Sequence, residues 1–397
     1  MYQIQNYNFY SAKTILLIAF FLVFFACKKD DDNIQSYQYE IPENVSDGWE
    51  TASITDNGIH EVPLVQMMDY INSGSNHRLH NILIVKNGKL VFEEYFNGFV
   101  FGNDPPGSDG EYIEFNRETD HFLASMSKSV TSVLVGIAVL KGHIGSLDDK
   151  VVDYFPEYDD ILTGEKANIT VKHLITMTAG LAWDENSYPY GHPQNDISQL
   201  FNSEDPIRYI FSKPLISTPG ETFMYSGGAT NVLGAVVAKA SSMSLLDFGN
   251  NFLFNPINSE GGVWESFQSG DFFASGGIHF RARELCKIGY LFLNKGKWKS
   301  QQIISEEWIT DSQKEQIPVL SDSFSHAYGY QWWIKNFNSE GKIYKCFLAA
   351  GWGGQYMFIF PEYDMIIEFN SGYYLTQFTI NPVDLVEDYI LKALLVE

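Results

Sequence analysis

His121-Phe122-Leu123-Ala124-Ser125-Met126-Ser127-Lys128-Ser129-Val130-Thr131-Ser132-Val133-Leu134-Val135-Gly136-Ile137-Ala138-Val139-Leu140 is the stretch from which the fold is read. Its first four residues bring the chain in as an extended, partly buried piece. From Ser129 to Leu140 it carries too much apolar surface for a helix facing solvent, so a buried helix is predicted. Ser125 and Lys128 stand three residues apart at the start of that helix and so share one face, which lets the amine reach the hydroxyl and help remove its proton. Ser125 is thereby a candidate covalent nucleophile. The competing reading is an N-cap serine followed by a solvated lysine.

Outward from this helix the chain divides. Asn81 to Val85 and Leu90 to Tyr95 read as strands joined by Lys86-Asn87-Gly88-Lys89, and Asn-Gly between two apolar runs is a strong hairpin signal. Pro105 to Gly110 reads as a turn region. Between Leu147 and about Pro256 the periodicity is mostly helical, with Thr170 opening a short helix and Thr230 to Lys239 a buried one. The section Ala182 to Asn202 is loop-like and holds Trp183, Asp184, Tyr188 and Tyr190, a composition suited to a binding wall or lid. Past residue 270, Ala282 to Leu293 has helical spacing. Tyr328 to Ile334, Tyr344 to Ala350, Tyr356 to Phe360 and Met365 to Phe369 read as strands, and Val383 to Leu395 as an amphipathic helix. The expected fold is α/β (α+β): an antiparallel sheet flanked by helices and built from both ends of the chain, 45–150 with 271–397, around a mainly helical domain at 151–270.

The N-terminus has a different character. Lys13 precedes an apolar stretch from Ile15 to Ala26, short for a membrane span but right for the core of a signal peptide, and it stops at Ala26-Cys27. The polar run Lys28 to Asn33 follows. This resembles a bacterial lipoprotein signal over 1–26, with Cys27 lipidated and 27–44 as a tether, and implies an extracytoplasmic protein, periplasmic or on the outer-membrane surface, held to the membrane by a lipid anchor.

Composition narrows the partners. The 397 residues carry 26 Lys+Arg against 49 Asp+Glu, a net charge of −23 with no basic patch, which disfavours a nucleic-acid partner. Cys286 and Cys346 read as free, buried residues, with one disulfide between them as the alternative, and their spacing rules out a cysteine-rich zinc site. His77 and His80 read as surface imidazoles in a polar turn. No metal and no cofactor are expected.

With these pieces in place, the chain resembles the penicillin-recognising serine hydrolases: class C type beta-lactamases, D-alanyl-D-alanine carboxypeptidases, family VIII-like carboxylesterases and 6-aminohexanoate-dimer hydrolases. The resemblance runs from about Asn81 to Ile390. It is carried by Ser125-Met126-Ser127-Lys128, Leu147 to Pro156, Val171 to Leu181, Pro219-Gly220 through Tyr225-Ser226-Gly227, Ser275-Gly276-Gly277-Ile278, and Ala349-Ala350-Gly351-Trp352-Gly353-Gly354-Gln355-Tyr356. It implies Ser125 as nucleophile, Lys128 as base and Tyr225 as proton-exchange partner, with a tyrosine pKa lowered by Lys128. The oxyanion hole is expected from the backbone N–H groups of Ser125 and Trp352. Trp183, Asp184, Tyr188, Gly227, Gly351 and Trp352 are the expected substrate contacts.

Two positions depart from the family pattern. Gly227 stands where the beta-lactamase branch has an asparagine, and Ala349 where the third motif has lysine or histidine. The expected activity is therefore hydrolysis of a small ester, amide or short peptide-like substrate. A carboxypeptidase or weak beta-lactamase, and a non-catalytic binding protein of this fold, are the alternatives.

Overall fold

The computed structural model describes residues 36–74, 76–320 and 324–394. The signal segment, Cys27 and the first part of the tether lie outside the described residues. Residues 37–44 lie along the sheet: Tyr39 stacks on Phe92 at 6.3 Å and its hydroxyl donates to the Val91 carbonyl at 2.8 Å.

The principal sheet has nine strands among the described residues. In spatial order they are Glu50–Thr51, Lys89–Tyr95, Leu79–Lys86, Met365–Ser371, Gln355–Phe360, Lys342–Gly351, Trp333–Ser339, Ala327–Tyr328 and Ile317–Pro318. Strands from both chain ends therefore meet where Leu79–Lys86 pairs with Met365–Ser371. Every pairing is antiparallel except the first, in which Glu50–Thr51 runs parallel to Lys89–Leu90, so the sheet is mixed at that edge. Asn87 and Gly88 both have positive φ, 52° and 72°, as a two-residue turn of this handedness requires.

One face of the sheet packs against the helices Glu61–Ser73 and Pro382–Leu385 through Ile82, Ile84, Phe358 and Ile367. The other face, through Leu83, Val85, Ala349 and Met357, shares a continuous core with the helices Ser127–Leu140, Gly227–Ser241 and Ala282–Leu293. The mainly helical segment joins the sheet in this one core.

Ser127–Leu140 is buried from Ser127 to Ala138. Its hydroxyls are spent on backbone that has left regular structure: Ser129 donates to the Gln331 carbonyl and Ser132 to that of Tyr330, both at 2.7 Å. This explains why Tyr328 to Ile334 is not one strand. The sheet breaks after Tyr328, and Gln331 turns inward with φ 64° to take the Thr230 hydroxyl at 2.8 Å and donate to the Ile175 carbonyl at 3.0 Å. A buried polar knot outweighs strand propensity there.

Two further expectations change. The Pro105 to Gly110 region is the tip of a hairpin, Asn97–Asn103 with Pro106–Glu114. His80 is no surface imidazole; it is buried on its strand, stacked on Phe115 and hydrogen-bonded through Nδ1 to His121 Nε2 at 2.7 Å. Cys286 and Cys346 are buried and unbridged.

Candidate active site

Ser125 sits in a single turn, Ala124–Met126, that feeds directly into the helix Ser127–Leu140. Ala124 just before it holds φ at 47°, a left-handed conformation that costs a non-glycine residue about 1 kcal/mol or more and is tolerated where surrounding structure dictates it. The end of strand Lys342–Gly351 dictates it here. A Cβ at Gly351 would run into the Leu123 carbonyl oxygen, so only glycine lets that strand lie against the turn bearing Ser125.

Lys128 Nζ lies 2.9 Å from Ser125 Oγ and donates to the Ser275 carbonyl at 3.0 Å. Its side chain is 3% exposed, and burial depresses its amine below the usual lysine range, partly opposed by the negative charge of Glu185. The same amine stands 4.8 Å from the centre of the Tyr225 ring. Tyr225 is set by the approach to the helix Gly227–Ser241: the Met224 N–H donates to the Met177 carbonyl at 2.8 Å, and Ser226 caps the helix by accepting from the Ala229 N–H at 3.1 Å. The ring stacks on Trp333 at 5.4 Å. Its pKa is not lowered as expected: burial pushes it up, Glu185 adds to the rise, and the interaction with Ser125 pulls only weakly the other way. Burial thus favours the protonated phenol at Tyr225 and the neutral amine at Lys128.

A cavity of about 440 Å³ opens over Ser125. Phe101, Phe122, Tyr190, Ile197, Phe201, Phe273 and Trp352 make its walls apolar, and Asn103, Ser198, Asn202, Glu265 and Ser275 supply scattered polar groups. Among the described residues lining it, Lys128 is the only cation. Trp352 packs on Tyr190 at 4.7 Å, joining the strand end to the loop 182–202.

The loop is more ordered than its composition suggests, because Asn195 caps a short helix, Asp196–Phe201. Its residues have separate fates. Asp184 is spent on a turn, accepting from the N–H groups of Asn186 at 3.2 Å and Ser187 at 2.9 Å. Tyr188 stacks on His192 at 4.7 Å. Trp183 is buried and donates its indole N–H to Glu185 Oε2 at 2.6 Å. Gly227 donates its N–H to the same oxygen at 2.6 Å. None of these four lines the cavity, whereas Glu185 does.

Read from the sequence, Glu185 stood with Asp184 as a candidate for recognising an amine-bearing substrate and Ser275 stood in a glycine turn; neither was placed beside Lys128. The signal for the first was Gly227 itself, a position lacking a side chain that some other group had to fill. For the second it was the placement of a Ser-Gly-Gly turn beside the motif helices. No group of three or more His, Cys, Asp or Glu side chains among the described residues is disposed to hold a metal ion.

A 6-aminohexanoate-dimer hydrolase from Paenarthrobacter ureafaciens is 23% identical over 272 residues, 64% of this chain and 66% of that one. Protein flp from Staphylococcus aureus (strain COL) is 26% identical over 183 residues, 45% of this chain and 33% of that one. The chain thus spans between a third and two thirds of the length of these curated relatives. Among solved structures, EstCE1, a hydrolase with promiscuous acyltransferase activity, superposes with TM-score 0.64 at 15% identity, covering 87% of this chain and 100% of that one. A family VIII carboxylesterase gives TM-score 0.62 at 16% identity, covering 84% and 98%. These likenesses are of fold. The family model described as Beta-lactamase matches residues 80–372, from the first long strand to the end of the last, and the chain belongs to the beta-lactamase family of serine hydrolases.

Proposed function

We propose that the protein hydrolyses small esters or amides through an acyl-enzyme on Ser125. The observation that carries this reading is the 2.9 Å contact between Lys128 Nζ and Ser125 Oγ at the floor of an apolar cavity. Lys128 in its neutral form takes the Ser125 proton as Oγ bonds to the substrate carbonyl carbon. The oxygen that gains the electron pair is met by the Ser125 and Trp352 N–H groups. On collapse the bond to the leaving group breaks, and Tyr225, which holds its proton at rest, hands that proton on and is reloaded from Lys128. Water then releases the acyl group by the reverse sequence.

The walls favour apolar acyl groups, and no cation in the cavity other than Lys128 is present among the described residues to hold a carboxylate. Ala349, at the third-motif position, is buried in the core. Short-chain p-nitrophenyl esters and neutral anilides should therefore exceed nitrocefin and a D-alanyl dipeptide in kcat/KM, each referenced to its uncatalysed rate. A lead for nitrocefin or the dipeptide after that correction would overturn the preference. An amine-bearing linear amide is the second reading, favoured by the Glu265 carboxylate at the cavity wall, which already accepts from or pairs with His279 at 3.0 Å.

The proposal extends to location. The apolar run ending at Ala26-Cys27 supports export and lipidation at Cys27, with the hydrolase held on the outer side of the cytoplasmic membrane or at the outer membrane.

A further inference from the structure

Glu185 is buried at 3% exposure beside the candidate base, and its two oxygens are used differently. Oε2 takes two donors at 2.6 Å, the Trp183 indole and the Gly227 N–H. The second of these is the first N–H of a fifteen-residue helix, whose positive end favours a carboxylate. Oε1 has no hydrogen-bond partner and stands 3.7 Å from Lys128 Nζ. A buried carboxylate oxygen without a donor, next to a buried amine, is tolerable only because each charge compensates the other. Gly227 makes the arrangement possible: a Cβ there would lie 2.7 Å from Glu185 Oε2 and 2.7 Å from Ile197 Cδ1.

We infer that Glu185 is the positioning residue of the catalytic amine, that it fills the space a side chain at position 227 would take, and that it sets the charge of Lys128. The inference rests on the proposed role of Lys128 as base. Glu185 lines the cavity, and in this scheme it acts on the reaction through Lys128. Its carboxylate favours the ammonium form of Lys128 and disfavours the phenolate of Tyr225, so one buried charge opposes the neutral amine that acts as base and keeps the proton on the phenol.

The test has two arms. In the first, the pH profile of kcat/KM for a short-chain p-nitrophenyl ester is measured for the wild type and for Glu185→Gln, which keeps the shape and removes the charge. The acidic limb should move to lower pH by about one unit, because an amine relieved of a neighbouring anion gives up its proton more readily. A merely structural role would lower the plateau and leave the limb in place. In the second arm, melting temperatures are compared for the wild type, Gly227→Ala, Glu185→Ala and the double variant. Gly227→Ala should lower the melting temperature in the wild type and lower it less in the Glu185→Ala background, where the contact with Oε2 is gone and those with Ile197 and Ser275 remain. This arm needs no turnover. An enzyme that neither hydrolyses the ester nor labels at Ser125 defeats the hydrolase reading alone. An unmoved limb with additive melting temperatures in an active enzyme defeats the assignment of Glu185 alone.

Discussion

At the scale of single residues the account turns on an amine made usable by its surroundings. Lys128 in water would be almost wholly protonated near neutrality, and burial lowers that barrier by disfavouring its charge. Tyr225 is pushed the other way by the same burial. These opposed shifts support Lys128 as base and Tyr225 as proton carrier in the proposed mechanism. Lys128→Ala and Tyr225→Phe should each lower kcat/KM for an ester substrate by on the order of 10² or more without loss of folding. Full rate in folded Lys128→Ala would mean that another group is the base. Much of this was legible in the sequence, since Ser125, Lys128 and Tyr225 stand in short motifs whose spacing survives any loop variation. Glu185 was not. Two adjacent acidic residues on an aromatic loop look alike as letters, and only the folded loop sends Asp184 into a turn and Glu185 toward Lys128.

Among elements, those with strong period were readable and those held by polar contacts were not. Ala282–Leu293 and the hairpin at Asn87-Gly88 follow directly from apolar spacing and turn chemistry. The hairpin Asn97–Glu114 carries aromatics on a polar, proline-bearing segment, so its strands looked like a turn region. The His80–His121 contact also lies beyond sequence reach, because it joins the strand Leu79–Lys86 to the strand His121–Phe122 just ahead of the nucleophile. It has a pH signature. Burial lowers both imidazoles, His121 to about 4 from an ordinary 6.5, with Arg78, His77 and His279 adding to the effect. The unfolded chain therefore takes up these protons first as pH falls from 6.5 toward 4, and the pair's contribution to stability, complete above 6.5, is lost across that window. The melting temperature of the wild type should exceed that of His121→Gln near neutrality, and the gap should narrow on acidification. A gap constant from pH 7 to pH 4.5 would show that the histidines do not titrate on unfolding.

For the whole molecule, one sheet made from both chain ends and one shared core bring the Ser125 turn, the approach to the helix Gly227–Ser241 and the Gly351 strand end together beside the cavity over Ser125. The order of motifs along the chain made this architecture legible, since strands near both termini had to meet for the motifs to converge. The proposed lipid anchor belongs to the same scale. Cys27→Ser should release the protein from the membrane fraction, and a palmitate analogue incorporated equally into wild type and variant would rule the anchor out. The most direct test of the central claim is intact-mass analysis of the protein quenched during turnover of a slow p-nitrophenyl ester, followed by peptide mapping. The account predicts an added acyl mass on Ser125 that is absent from Ser125→Ala, together with loss of turnover in that variant; undiminished turnover in Ser125→Ala with no adduct on the wild type would contradict it.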